Sequence, residues 1–295
     1  MREEIRLYRF WFRYHDVRAF VTSWLPLPAF VMYRVLIFFY TFGWLVTVGV
    51  QSTDRFIIYL TIQSFLLLNL SLLFLAMLTV AYATLYYSRS EKLQSLFRVP
   101  TDLEISYGQD RIRWYVKISW VLHTTVSVLA VGVAFSYWAF LCSPFFVGNN
   151  ATMGNMTSDE CEPLPVNLHV HGINAVIVIV DIWMSRIPFQ LCHFFYTTSF
   201  TIFYLIFSVI YWVANGRTKE GVIYPILDYG AADKQMAIVF TMVLVLFPMI
   251  IYLILFGIAL LRDVAFQLLK RVFFWDFWQK EFAAVKPNTD RDVVV

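Results

Sequence analysis

Six long apolar blocks dominate the chain, and polar or charged residues gather between them. A helix rises about 1.5 Å per residue, so about 20 apolar residues cross about 30 Å of hydrocarbon. Because lipid offers the backbone no hydrogen-bond partner, each block is predicted to be a helix. The pattern therefore predicts an all-α fold, a polytopic transmembrane bundle of about six spans. The predicted spans are residues 30–50, 57–86, 115–140, 167–185, 196–214 and 237–261.

The two segments outside these blocks mix basic and aromatic residues. Pro26 and Pro28 separate the first segment from the first span, since proline breaks a continuous helix. Residues 1–29 are predicted to be a cytosolic, interfacial amphipathic segment, and residues 30–261 the membrane domain. Residues 262–295 are predicted to form a cytosolic interfacial helix followed by a disordered tail.

Composition supports a membrane protein. Of the 295 residues, 60% are hydrophobic and 15% are charged, whereas soluble domains carry about 45–50% apolar and about 25% charged residues. The net charge of +3 does not indicate nucleic-acid binding. The chain contains no P-loop, GxGxxG, GxSxG, HExxH or cysteine metal motif, so neither a cofactor nor a metal is predicted.

The distribution of lysine and arginine predicts the orientation of the bundle. The segments 1–29, 87–114 and 262–295 carry five, five and six of these residues, and the connections on the opposite side carry four in all. Cytoplasmic segments retain the excess of basic residues. Both termini are therefore predicted to be cytosolic.

The loop 141–166 is predicted to lie outside the cytosol, because it has no lysine or arginine and carries two glycosylation acceptor patterns, at Asn150 and Asn155. Cys142 and Cys161 lie in the same loop, where disulfides persist, and we expect them to be bridged. Two unpaired thiols remain the alternative. Cys192, on the cytosolic side, is predicted to be a free thiol.

Polar side chains inside the spans are the candidates for a site. By helical rise, Thr61 and His171 fall in one layer near the outer membrane surface. A neutral imidazole can activate a threonine hydroxyl, so the two are candidate catalytic residues, with Asn174 as an orienting residue. In the alternative, Thr61 bonds its own backbone and His171 anchors the interface. His169 points away from His171 and does not complete a metal site.

Lys117 and Asp181 form a second pair, because both fall in the inner layer of the predicted bundle. A compensated ion pair that braces two helices is the favoured interpretation, and a relay or substrate site is the alternative. His123 also lies in the inner half, away from Thr61. Asp181 is about 15 Å along the helix from His171, so no Thr-His-Asp triad is predicted.

Four stretches of the sequence resemble the rolling stone family. They are HGINAVIVIVDIWMSRIP at 171–188, the run FxxxYLIFSVIYW ending at Trp212, YPILDY at 224–229 and, more weakly, YLT at 59–61. The resemblance covers about residues 30–265. It implies a multipass plasma-membrane protein, and the family's founding member is associated with myoblast fusion in insects.

The architecture is also similar to that of the androgen-induced and androgen-dependent membrane proteins, which are threonine hydrolases of fatty acid esters of hydroxy fatty acids. This similarity implies a nucleophilic role for Thr61 and a catalytic role for His171. Around the histidine, that family's polar run is replaced here by Gly172, Ile173 and Asn174.

Two functions therefore remain open, and whether the protein is an enzyme is left undecided. The first is a structural or cell-interaction role, in which the 141–166 loop contacts protein partners. The second is an intramembrane hydrolase of lipid esters, with membrane lipids as the surroundings and the source of substrate. A transporter is disfavoured, because no duplicated halves or matched glycine-broken spans are evident. The plasma membrane is favoured over the endoplasmic reticulum.

Overall fold

The computed structural model describes residues 17–51, 56–88, 114–141, 165–218, 221–224, 227–230 and 235–272. Every regular element in these ranges is helical, which confirms the all-α prediction. Six helices are long and apolar enough to cross a membrane, and the protein is an integral membrane protein. They are α1 (Leu27–Gln51), α2 (Leu60–Tyr87), α3 (Trp114–Ser136), α4 (Pro165–Met184), α5 (Phe194–Ala214) and α6 (Gln235–Val272).

Two of these helices contain a π-helical turn. Helix α3 continues as the π turn Tyr137–Leu141, and α4 contains the π turn His169–Ile173. A π turn closes its hydrogen bonds over five residues instead of the four of an α-helix, and it is frequent at functional sites. It therefore changes which way the side chains around it face.

Helix α3 lies at the centre of the bundle. Of its most apolar 18-residue stretch, 67% is buried inside the protein, against 17% for α1 and 22% for α6. The core around it contains Phe65, Val128, Val178 and Tyr252, which come from four different helices. The outer helices α1 and α6 present most of their apolar side chains to the outside, as expected for helices that face lipid.

The N-terminal segment differs from the predicted surface segment. Ala19, Phe20 and Val21 are buried, and the Phe20 ring packs edge-on against Trp120 with 5.5 Å between centroids. The described part of the segment thus plugs one end of the bundle. We call this end the base, and we define it by residues 17–26, 185–190 and 262. The opposite end, with residues 56–61, 221–224 and 227–230, is the far end.

Helix α6 also differs from the prediction. The sequence placed a boundary at residue 262, whereas the helix continues without interruption to Val272. Arg262, expected at the membrane surface, is 1% exposed. The reason is that its guanidinium donates hydrogen bonds to backbone carbonyls at and just after the end of α4.

An irregular stretch, residues 185–190, follows α4 at the base. Its carbonyl groups and those of the last turn of α4 need hydrogen-bond donors, because a helix end leaves four carbonyls unpaired. Five side chains from three other parts of the chain supply them. Arg262 donates to the carbonyls of Ile182, Ser185 and Ile187 at 3.0–3.1 Å, Trp24 to Trp183, Ser23 to Met184, Trp120 to Pro188 and Tyr252 to Gln190.

Candidate functional site

The first turn of α2 lies at the far end and begins without a capping side chain of its own. Tyr59 precedes the helix in an extended conformation and makes no side-chain cap bond. The free N–H groups of a first turn require acceptors from elsewhere. The Leu60 N–H donates to the hydroxyl oxygen of Tyr224, 3.0 Å away. Tyr224 comes from the connection between α5 and α6, so this bond ties that connection to α2.

A cluster of hydroxyl groups surrounds this bond. The side chains of Thr61 and Tyr204 also interact with the Tyr224 hydroxyl. The Tyr204 hydroxyl donates to the Ile58 carbonyl at 3.0 Å. Burial raises the pKa of the Tyr224 phenol above its ordinary value, and its hydrogen bonds offset this only in part. The cluster is therefore uncharged at neutral pH.

The connection that carries Tyr224 is fastened at a second point. The hydroxyls of Tyr229 and Ser208 lie 2.6 Å apart, and the Trp212 ring packs against Tyr229 with 5.8 Å between centroids. Leu227, between the two tyrosines, is buried. The connection is thus held over the far ends of α2 and α5.

A cavity of about 70 Å³ lies directly beneath the hydroxyl cluster and is partly open to the outside. Helices α2, α3, α5 and α6 and the α5–α6 connection line it. Most of the wall is apolar, and the polar groups of the described wall are hydroxyls. The lining residues are Leu60, Thr61, Val128, Leu129, Gly132, Val133, Ser136, Tyr137, Thr201, Tyr204, Tyr224, Phe240, Val243, Leu244, Phe247 and Pro248.

Thr61 and His171 lie on different sides of one residue. Thr61 lines the cavity together with Tyr137, and the His171 ring stacks on Tyr137 with 3.6 Å between centroids and 3° between planes. Among the described residues, the Nδ1 atom of His171 is buried without a hydrogen-bond partner. The Thr61 side chain interacts with the Tyr224 hydroxyl, and the His171 ring faces Tyr137.

The catalytic pair predicted from the sequence is therefore not formed in this structure. Helical rise placed Thr61 and His171 in one layer, but rise says nothing about the direction in which each side chain points. The π turn at 169–173 alters that direction, and His171 meets Tyr137. Asn174 donates to the Val170 carbonyl at 3.1 Å, so its amide bonds its own helix, not the imidazole.

His169 has surroundings different from those of His171. Its ring stacks on Trp44 of α1, with 3.6 Å between centroids, and its Nδ1 atom contacts the Pro165 carbonyl. The two histidines thus pack against different helices, as their spacing predicted. The π turn that holds both joins α4 to α1 on one side and to α3 on the other.

A second polar cluster surrounds Asp181 in the half of the bundle nearer the base. Its carboxylate lies 2.8 Å from Nη1 of Arg34 and accepts a bond from the Tyr33 hydroxyl at 3.1 Å. The Nδ1 atom of His123 lies 3.5 Å away. The side chains of Arg34 and Asp181 are 0% and 2% exposed. The cluster joins α1, α3 and α4.

The prediction that Lys117 pairs with Asp181 is wrong, because the cation beside Asp181 is Arg34. Arg34 takes the place assigned to Lys117, because it faces Asp181 directly from the first turns of α1. Arg34 lies inside the first apolar block, and no partner was predicted for it. A buried cation within a span is itself a signal for a buried acidic partner.

The tyrosines of the far end were also missed. Tyr137, Tyr204 and Tyr224 do not ionise at neutral pH, and nothing in their spacing sets them apart from aromatic residues that anchor helices at the membrane surface. Their convergence depends on the path of the α5–α6 connection. Of the remaining candidates, Cys192 is a buried thiol in no disulfide, as predicted. Cys142, Cys161, Asn150 and Asn155 lie outside the described residues.

The fold and the cavity define a polytopic helical membrane protein with a mostly apolar cavity near one end of its bundle. A family model described as protein rolling stone matches residues 2–279, and the chain belongs to that family. It is 26% identical over 268 residues to Protein rolling stone of Drosophila melanogaster. The aligned region covers 88% of this chain and 89% of the fly protein. No solved structure matches the chain.

Proposed function

We propose that this member of the rolling stone family binds a lipid in the far-end cavity, with the polar group of the lipid at the hydroxyl cluster. The observation that carries this proposal is the convergence of the four family marks on one place. YLT supplies Thr61, and YPILDY supplies Tyr224. The run ending at Trp212 supplies Tyr204, and HGINAV supplies His171, which stacks behind the cavity wall on Tyr137.

The chemistry of the cavity suits an amphiphile. An apolar wall favours a hydrocarbon chain, and a few convergent polar groups orient a ligand within such a pocket. The cavity is partly open and lies within a bundle of spanning helices, so a lipid can enter sideways from the bilayer. The volume of about 70 Å³ admits only part of a lipid, so the rest of the chain would remain in the membrane.

Filling the cavity should abolish lipid binding. A Cβ atom at Gly132, which lines the cavity, would lie 3.2 Å from the end of the flexible Ile251 side chain. We expect Gly132→Leu to lower labelling by a photoactivatable single-chain lipid by at least about 10-fold, which corresponds to about 1.4 kcal/mol of binding free energy. Labelling of the purified protein in bilayer nanodiscs measures this.

Gly257→Leu is the matched control, because a Cβ atom there meets nothing within 4 Å. It should label like the wild type. Equal labelling of both variants and the wild type would contradict binding in this cavity, and thermal unfolding of each variant verifies that it is folded.

Hydrolysis of a lipid ester is the second candidate, and the position of Thr61 on the cavity wall favours it. The Thr61 oxygen would attack the ester carbonyl while a base took its proton and passed it to the departing alcohol; water would then release the acid. The base must come within hydrogen-bond reach of Thr61. Because the His171 ring stacks on Tyr137 behind the cavity wall, His171 can serve only if the Tyr137 ring or the π turn moves.

A serine-hydrolase fluorophosphonate probe tests this second candidate. If Thr61 is the nucleophile, the wild type is labelled and Thr61→Ala is not, and His171→Ala loses most of the labelling because the threonine is no longer activated. Thr201→Val is the control, since the Thr201 hydroxyl bonds its own helix at Thr198. Labelling that survives Thr61→Ala would rule out Thr61 as the nucleophile.

A cell-interaction role at the plasma membrane, with myoblast fusion as the example from the family, stays a prediction. It depends on the loop 141–166, most of which lies outside the described residues. This role requires neither Thr61 nor His171. A cell-fusion or cell-adhesion assay that is unaffected by Thr61→Ala and His171→Ala would therefore favour it over hydrolysis.

A further inference from the structure

We propose that the far-end cavity selects an uncharged oxygen group, an ester or an alcohol, on a single-chain lipid, and that Thr61 and Tyr224 recognise that group. This inference rests on the proposed binding of a lipid in the cavity. It adds the chemical class of the ligand and the two residues that read it.

The charge of the cavity wall decides whether an anionic ligand can enter. None of the lining residues in the described part of the chain is ionised at neutral pH. A carboxylate or phosphate taken from water into such a wall would lose its hydration and gain no opposite charge, which is strongly unfavourable. The buried charges of Arg34 and Asp181 neutralise each other in a separate cluster. The wall therefore disfavours an anionic group inside the cavity.

The hydroxyls near Tyr224 differ in whether their protons are available to a ligand. The Tyr204 hydroxyl proton is used by the Ile58 carbonyl, and the Thr201 hydroxyl donates to the Thr198 carbonyl at 2.9 Å. Tyr224 accepts the Leu60 N–H, and its own O–H, which has the Tyr204 and Thr61 oxygens beside it, can turn to a ligand oxygen. Thr61 and Tyr224 lie side by side and interact, and a ligand oxygen can accept a hydrogen bond from either hydroxyl.

The two donors, the Thr61 alcohol and the Tyr224 phenol, are neutral. A phenol and an alcohol both donate and accept one ordinary hydrogen bond, which matches a carbonyl or hydroxyl oxygen. An anion is bound instead by cationic or multiple convergent donors. Burial keeps Tyr224 protonated, so the donor persists over the physiological pH range.

Three photoactivatable probes with the same alkyl chain test the selection: a fatty alcohol, a monoacylglycerol and a fatty acid. They are compared on the full-length protein in nanodiscs at pH 9, where the acid is ionised. We expect the alcohol and the monoacylglycerol to label the wild type at least about 10-fold more than the acid. Labelling by the acid equal to that by the alcohol would overturn the selection of an uncharged group.

Two matched variants, at Tyr224 and Tyr229, test whether Tyr224 recognises the ligand. Tyr224→Phe should lower labelling by the alcohol about 5-fold, the effect of one lost hydrogen bond. Tyr229→Phe also removes a bonded phenol hydroxyl from the same connection, but Tyr229 is outside the cavity wall, so labelling should stay at the wild-type level. Equal labelling of Tyr224→Phe and Tyr229→Phe would overturn the role of Tyr224.

The labelling results distinguish a failure of lipid binding from a failure of the selection for an uncharged group. If none of the probes labels the wild type more than it labels Gly132→Leu, no lipid binds in the cavity, and both proposals are wrong. If all three probes label the wild type equally and Gly132→Leu reduces all three, the cavity binds lipid but does not select against charge. That result would overturn only the present inference.

Discussion

Arg34→Met should lower the free energy of unfolding by about 3–5 kcal/mol, because it leaves the Asp181 carboxylate buried without a cation. Both side chains are almost fully buried, and Nη1 of Arg34 lies 2.8 Å from the carboxylate. The Tyr33 hydroxyl still donates to Asp181, but one neutral hydrogen bond does not compensate a buried charge. Unfolding of the purified protein in mild detergent, followed by tryptophan fluorescence, measures the change.

The double variant Arg34→Met with Asp181→Leu separates the pair from its parts. Replacing both members of a buried ion pair by apolar residues is often neutral, so the double variant should recover most of the lost stability. Arg217→Met is the control for the loss of a cation, because Arg217 lies exposed in the turn after α5. If Arg34→Met is as stable as Arg217→Met, Asp181 is not held by Arg34 in the folded protein.

This result would also distinguish the two cations considered for Asp181. The sequence pointed to Lys117, and the structure shows Arg34. Because Arg34 is the partner of Asp181, Lys117→Met combined with Asp181→Leu should recover no more stability than Asp181→Leu alone. A double-mutant cycle gives the coupling energy of each pair directly.

Arg262→Ala should lower the free energy of unfolding by about 3 kcal/mol or more, since three carbonyl groups at the base lose their donor. The carbonyls belong to the end of α4 and the irregular stretch after it, and all three bonds measure 3.0–3.1 Å. A cation at a helix C-terminus is also favoured by the helix dipole. The same unfolding measurement applies, and the loss should be accompanied by proteolysis within residues 185–190.

Arg262→Lys should be intermediate, because an ammonium group offers three donors but no planar fork. Arg186→Ala is the matched control at the base: its guanidinium lies 4.6 Å from the Phe266 ring, a contact worth about 0.5–1 kcal/mol. If Arg262 merely anchors the helix at the membrane surface, Arg262→Ala and Arg186→Ala should differ little. That outcome would contradict the interior role.

The base explains why an irregular stretch is tolerated beside the spans. Non-helical backbone is stable at such a position only where the protein supplies its hydrogen bonds. Here tryptophan, serine, tyrosine and arginine side chains supply them from sites far apart in the sequence. The basic and aromatic residues read from the sequence as surface anchors include Trp24 and Arg262, which are donors to this backbone.

The sequence by itself determined the six spans and the family. Hydrophobic blocks of about 20 residues specify spanning helices because the lipid leaves the backbone no other way to pair. The predicted bounds of the spans differ from the observed ones by only a few residues, except at the end of α6. Orientation relative to the cytosol follows from charge counts alone and stays a prediction.

Only the tertiary structure decided which polar groups meet. Helical rise estimates the depth of a side chain but not its direction around the helix, and two π turns changed that direction where it mattered, at Tyr137 and His171. Arg34 met Asp181, and Tyr224 met Thr61, through contacts more than a hundred residues apart in sequence. Such contacts depend on how helices rotate and how connections return over the bundle, and no local pattern of residues records either.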